Sequence, residues 1–245
     1  MKVSFVIPAY NEEKLLDACL ASIGREIART ACDTEVIVVN NASTDGTCAV
    51  VLRYPRVQLV DEPKKGIVFA RHAGFIVSSG DLIANLDADT VLPSGWLATV
   101  LAEFLARPNL VALSGPHLYY DLSRLRRALT HFFYLGGYAV YFVSHRIFKK
   151  GGMLQGGNFV VQRTALVAIG GFDTSITFYG EDTDLARRLA KVGRVHFTFK
   201  LPIYASGRRI AKEGIALSGY RYALNFLSTL FFKRPVTTTY EDVRP

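Results

Sequence analysis

The first ninety residues switch repeatedly between two hydrophobic periods, and that alternation constrains the fold more than anything else in the chain. Val3 to Ala9, Glu35 to Val39, Val57 to Val60 and Leu82 to Leu86 are short apolar or β-branched runs bounded by turn residues, the pattern of buried parallel strands. Between them, Glu12 to Arg29 carries Leu15, Leu16, Cys19, Leu20 and Ile23 as a helical stripe. Ser43 to Leu52 opens with a Ser/Thr/Asp cap signal, and Gly66 to Val77 supplies a third crossover. Strands alternating with helices predict an α/β fold built on a parallel sheet with right-handed crossovers. Ligands on such sheets bind beyond the carboxyl ends of the strands. Polar residues gather there: Pro8-Ala9-Tyr10-Asn11-Glu12 after the first strand, Asn40-Asn41-Ala42-Ser43 after the second, Asp87-Ala88-Asp89 after the fourth.

Beyond Asp89 the alternation weakens. A helix over Ser94 to Ala106 and a strand over Leu110 to Ser114 precede a long aromatic helical region, Leu122 to Phe148. Gly156-Gly157 then leads into a strand at Asn158 to Gln162, and a helix begins near Glu181. No repeat or low-complexity linker interrupts the chain. The expected organisation is one domain over residues 1–205, with a nucleotide half (1–89) and an acceptor half (90–205), followed by a basic, aromatic tail over 206–245.

Half of the 245 residues are hydrophobic, which excludes disorder as the main state. The net charge of +8 suits an anionic partner. The basic residues cluster beside apolar stretches (Arg124, Arg126 and Arg127; Arg146, Lys149 and Lys150; Arg208, Arg209 and Lys212; Lys233 and Arg234), which favours lipid headgroups over nucleic acid. Three cysteines without Cys-x-x-Cys spacing predict reduced thiols rather than a disulfide framework or zinc site. The start of the chain lacks a signal-peptide pattern, and the longest apolar run, Phe132 to Val143, has 12 residues against the ~20 of a membrane span. A cytoplasmic protein, peripheral at the cytoplasmic face of a membrane, is the expectation.

Asp87 and Asp89 follow a buried strand. Residues two apart on a strand face the same way, so both carboxylates can converge on one cation. Oxygen ligands suit Mg²⁺ or Mn²⁺, whose shell is completed by water and substrate phosphates. Glu181-Asp182 follows Phe178-Tyr179-Gly180 and opens a helix. Acidic residues in a first turn serve as caps and dipole partners; the aromatic-glycine approach and the acidic site already present favour a general base.

Val6-Ile7-Pro8-Ala9-Tyr10-Asn11-Glu12, Val39-Asn40-Asn41-Ala42-Ser43-Thr44-Asp45-Gly46, Ala70-Arg71-His72-Ala73-Gly74, Leu86-Asp87-Ala88-Asp89, Gly157-Asn158-Phe159, Gly170-Gly171-Phe172-Asp173 and Gly180-Glu181-Asp182 together resemble glycosyltransferase family 2. The resemblance runs from Val3 to about Leu189. It implies the GT-A fold, a Rossmann-like mixed and mostly parallel sheet flanked by helices, and inverting transfer from a UDP- or GDP-sugar. It places Pro8, Ala9, Tyr10 and Glu12 along the nucleoside pocket, Asn41 at the base, Arg71 near the diphosphate and Asp87 near ribose and metal. Asp89 becomes the direct metal ligand and Asp182 the base. The chain departs from the family pattern at Asn40-Asn41, where Asp-Asp is usual; Asn donates as well as accepts. No Gln-x-x-Arg-Trp motif is present, which argues against a processive synthase.

Leu122 to Phe148 and Tyr222 to Phe232 each set aromatic residues between basic flanks. Such segments suit interfacial helices on anionic lipid; the competing reading buries them against the core or a homodimer partner. A general base favours a hydroxyl acceptor, such as a lipid-linked saccharide or another envelope glycan, because a phosphate acceptor is already ionised. Two rival functions remain at this stage, a catalytically silent nucleotide-sugar-binding subunit and a sugar nucleotidyltransferase. The second usually carries a Gly-rich basic loop where this chain has Pro8-Ala9-Tyr10-Asn11.

Overall fold

The computed structural model describes residues 1–148, 152–176, 178–232 and 234–237. In chain order the elements are β1 (Val3–Ala9), α1 (Leu16–Arg29), β2 (Thr34–Asn40), α2 (Thr47–Leu52), β3 (Val57–Asp61), α3 (Ile67–Val77), β4 (Leu82–Leu86), β5 (Thr90–Val91), α4 (Trp96–Ala106) and β6 (Leu110–Ser114). They continue with β7 (His117–Tyr119), α5 (Arg124–Phe148), β8 (Asn158–Gln162), α6 (Arg163–Ala168), α7 (Glu181–Leu189), β9 (Arg194–Phe197), β10 (Ile203–Ala205), α8 (Arg208–Glu213) and α9 (Ile215–Phe232).

Seven strands form the main sheet in the order β3-β2-β1-β4-β8-β6-β9. Its first four are mutually parallel, β8 runs antiparallel to both β4 and β6, and β9 returns parallel to β6. The sheet is the mixed, mostly parallel one that the sequence predicts. One apolar layer packs Phe5, Ile7, Val38 and Ala84 against α1 and α4; the other packs Val6, Ile37, Ile83 and Phe159 against α3 and α7. Both faces are covered, which is why the strands read as continuous apolar runs. A small second sheet, β5-β10-β7, lies at the carboxyl edge. The three cysteines are free.

Several boundaries differ from the sequence expectation for local reasons. The first helix starts at Leu16 rather than Glu12, because Asn11 turns left-handed (φ 51°) and the Glu12 carbonyl closes the turn by accepting the Leu15 and Leu16 N–H groups. The second starts at Thr47, with Asp45 Oδ1 accepting the Thr47 N–H at 3.0 Å. Trp96 is core, with its indole N–H donating to Asn158 Oδ1 at 3.3 Å. Asn158 donates in turn to the carbonyls of Gly115 and Leu201, both at 2.9 Å, and so pins the strand edge to the loops flanking the second sheet.

The long aromatic segments have two faces. On α5, Thr130 and Tyr134 are buried, and Tyr134 and Tyr138 pack against Phe197, so these tyrosines face protein rather than solvent. A four-residue step returns a helix to the same face, and the opposite face exposes Leu125, Leu129, Phe132 and Leu135. Among the described side chains of α9 the buried ones are the polar Ser218, Asn225, Ser228 and Thr229, while Leu217, Tyr220, Leu227 and Phe232 are exposed. Among the described residues no helix is long and apolar enough to cross a membrane. Lys149, Lys150 and Lys233, counted among the basic flanks, lie outside the described residues, as do the side chains of Phe133, Tyr141, Phe142 and Arg146.

Candidate active site

Because β2, β1 and β4 are adjacent and parallel, their polar carboxyl ends meet at one edge. The antiparallel β8 brings its own beginning, Gly156-Gly157-Asn158, to the same edge, with Asn158 paired to Leu86. Gly157 has φ +78°, and a Cβ there would lie 2.1 Å from Asp87 Oδ2. Only glycine allows that approach. The second glycine of the pair thus packs against the Asp87 carboxylate.

Around this turn two carboxylates share one buried guanidinium, and a third is held by backbone N–H groups. Arg71, on α3, is 1% exposed; it bonds Glu181 Oε1 and reaches Asp87 Oδ1 at 3.2 Å, with its guanidinium over the Phe159 ring. Asp182 Oδ2 accepts the Gly156 N–H at 3.1 Å, and its Oδ1 accepts the Thr183 N–H at 2.7 Å. Burial pushes the Glu181 carboxyl up to about 7, against the pull of Arg71 and with help from Asp182. Burial also raises Asp182, and the Gly156 and Thr183 N–H groups oppose that rise. A raised carboxyl is a stronger proton acceptor than an ordinary one. Burial holds His117 down to about 4, so the imidazole beside the Gly157 backbone stays neutral and structural.

A second group lies at the β1 side. Arg208, at the start of α8, bonds Glu12 Oε1 and reaches Asp89 Oδ2 at 3.1 Å. Sequence reasoning named Glu12 and Asp89 as site residues but counted Arg208 only in a basic cluster beside an apolar stretch; its partner Glu12 is 196 positions away. The residues expected along the nucleoside pocket lie at the end of β1: the Ala9 carbonyl accepts the Asn41 N–H at 2.8 Å, Pro8 is half-buried, and the Tyr10 ring faces Lys65 Nζ at 3.7 Å. The Asn41 side chain is turned to the following loop. It donates to the carbonyls of Glu62 and Lys64 at 3.0 and 2.8 Å and accepts the Gly66 N–H at 2.7 Å. An aspartate could not make the two donations, which accounts for Asn where Asp is usual in the resembled pattern.

Residues 4–170 match the family model described as glycosyl transferase family 2. The chain belongs to that family. Its fold is GT-A: the mannosyltransferase PcManGT of Pyrobaculum calidifontis, in complex with GDP-Man and Mn²⁺, superposes with a TM-score of 0.71 at 25% identity, covering 94% of this chain and 63% of that one. Glucosyl-3-phosphoglycerate synthase of Mycobacterium tuberculosis, in complex with Mn²⁺ and UDP-glucose, gives 0.65 at 18% identity over 93% and 78%. A dolichyl-phosphate β-glucosyltransferase of Trichomonas vaginalis is 40% identical over 96 residues, 35% of this chain and 28% of its own. The chain spans less than half the length of the curated relatives it matches. Family membership sets aside the nucleotidyltransferase.

Among the described residues no three His, Cys, Asp or Glu side chains converge as a complete metal cage. Mg²⁺ and Mn²⁺ do not need one: a metal that travels with a diphosphate is held by one or two carboxylates plus phosphate oxygens. Asp89 fits such an ion, because its carboxylate already draws a cation, the Arg208 guanidinium, whereas Asp87 is paired with Arg71.

Proposed function

We propose that this family 2 glycosyltransferase is an inverting, metal-dependent enzyme that moves a sugar from a UDP- or GDP-sugar to a hydroxyl acceptor at a membrane surface. The observation that carries the reading is the single turn at Gly156-Gly157, whose first glycine holds Asp182 and whose second packs against Asp87. Pro8, Ala9, Tyr10 and Glu12 line the nucleoside pocket, and Asn41 shapes it by holding residues 62–66. Asp89 and Asp87 are the ligands for Mg²⁺ or Mn²⁺. When bound, the metal neutralises charge growing on the diphosphate leaving group. GDP-Man and UDP-glucose in the two structural relatives support both donor classes.

Asp182 takes the proton of the acceptor hydroxyl as its oxygen attacks the anomeric carbon. The new C–O bond forms opposite the breaking bond to phosphate, and the electron pair leaves with the nucleoside diphosphate. The two backbone N–H groups aim the carboxylate, and each oxygen keeps a lone pair for the incoming proton. Arg71 balances Asp87 and Glu181 from beneath, so the acidic cluster is tolerated in a buried setting.

Exposed Leu125, Leu129, Phe132 and Leu135 beside exposed Arg124, Arg126 and Arg127 support peripheral contact with anionic lipid, and with it a lipid-linked acceptor. The decisive experiment is Asp182→Asn assayed separately for donor binding and for transfer. Donor affinity is expected to hold while transfer falls by ~10²–10⁴-fold. Near-normal transfer would return Glu181-Asp182 to a helix-capping role. It would also favour an already ionised phosphate acceptor, the kind named for the Trichomonas relative.

A further inference from the structure

We infer that Arg208 is a resident counter-cation for the metal-binding carboxylate, which a divalent ion must displace from Asp89 and which then turns to the nucleotide diphosphate. The inference rests on the assignment of Asp89 as a metal ligand. Arg208 Nη2 stands 3.1 Å from Asp89 Oδ2 and bonds Glu12 Oε1 with the same nitrogen. The side chains of Glu12, Asp89 and Arg208 are 3%, 15% and 23% exposed, so this is a partly desolvated cluster rather than a surface pair. An ion held ~2.1 Å from a carboxylate oxygen would sit within a few ångströms of a guanidinium nitrogen on that same oxygen. Two cations on one carboxylate oxygen repel at that spacing, so metal and Arg208 compete for Asp89 Oδ2.

The backbone beneath Arg208 is built to hold still while the side chain moves. Asp121 accepts the Gly207 N–H at 2.6 Å and the Ser206 hydroxyl at 2.7 Å, and the Ser206 N–H donates to the Asp89 carbonyl at 3.3 Å. A Cβ at Gly207 would run into Leu122 at 2.4 Å, so this anchor is close-packed. What can change is the rotamer of one long side chain. Metal arriving alone leaves the guanidinium with half its charge partners. Metal arriving with a diphosphate offers it phosphate oxygens, for which its fork of donors is suited. The exchange therefore makes metal and nucleotide bind cooperatively, and the coupling is reciprocal.

Mn²⁺ binding, followed by loss of the free-ion EPR signal with no sugar donor and no acceptor present, tests this directly. Wild type is expected to bind Mn²⁺ weakly alone and at least about fivefold more tightly with UDP or GDP added. Arg208→Gln should bind Mn²⁺ alone at least about fivefold more tightly than wild type and lose most of the nucleotide enhancement; Arg208→Lys should lie between. Thermal melts of each variant report folding. If Asp89→Asn binds Mn²⁺ as well as wild type, the metal assignment falls and the inference with it. If Asp89→Asn loses Mn²⁺ but a folded Arg208→Gln binds it no better than wild type, the inference alone is overturned.

Discussion

One missing Cβ decides whether Asp87 can sit where it does. Gly157→Ala would put a methyl 2.1 Å from Asp87 Oδ2 and force a side chain into φ +78°. The left-handed backbone alone costs ~1–2 kcal/mol. Because the collision falls on a site carboxylate, Mn²⁺ and nucleotide binding should weaken as well as the melting temperature, and an alanine variant with intact binding would sink this account. Glu181 makes a second prediction, through pH. Its carboxyl is raised to about 7 from an ordinary 4.5, so the folded protein holds a proton there that the unfolded chain has lost. The stability this contributes is fully present below about pH 4.5 and disappears as pH rises through about 7. Buried His117, held down to about 4 from 6.5, contributes with the opposite sign between those values. The difference between wild type and Glu181→Gln therefore isolates the carboxyl. That difference should move steadily in favour of the glutamine variant from pH 5 to pH 8 in urea titrations; a flat difference would refute the raised value.

Strands β1, β2, β4, β6 and β8 were legible because each is an apolar run closed by turn residues, and Asp87 and Asp89 stand immediately after one such run. The direction of β8 was not, since Asn158 to Gln162 has the same apolar run as a buried parallel strand. Strands β5, β7 and β10 span two or three residues, too few for a period to show. Helix α8 has six residues, and its one contribution to the site is a contact across most of the chain. The sequence also showed α9 as apolar without showing that its polar residues face inward. That inward face has a consequence for α7. Gly180 caps α7 at φ +79°, and a Cβ there would meet Thr229 Oγ1 of α9 at 2.3 Å. Gly180→Ala should therefore cost ~1–3 kcal/mol and drag Glu181-Asp182 out of place. Adding Thr229→Ala should recover the part due to the collision but not the part due to φ. Simple additivity of the two substitutions in chemical denaturation would mean that α7 is not seated on α9 at this point.

At the scale of the whole molecule, the two long aromatic helices each have a protein-facing side and an apolar outward side. Helices α5 and α9 pack on one another and turn Tyr134, Tyr138, Asn225 and Thr229 toward protein. They leave Leu125, Leu129, Phe132, Leu135, Leu217, Leu227 and Phe232 facing outward. Exposed apolar residues are ordinary when scattered, whereas a run at helical spacing beside a basic cluster marks a surface that meets something. Arg124, Arg126 and Arg127 are all exposed at the start of α5, and each adds roughly 1 kcal/mol near an anionic surface. Together they amount to about two orders of magnitude in partitioning onto anionic vesicles at low salt. Replacing the three by Gln should release the protein from vesicles of mixed neutral and anionic lipid, and raising the salt should do the same to wild type. Phe132→Ser should weaken attachment at both ionic strengths, because it removes apolar area rather than charge. Donor binding should be unchanged in all of these variants, since the proposed donor site lies at the carboxyl ends of β1, β2 and β4. Equal, negligible co-sedimentation with neutral and anionic vesicles would reject lipid. A concentration-dependent dimer, abolished by Phe132→Ser in sedimentation velocity, would then assign the same outward face to a second copy of the chain.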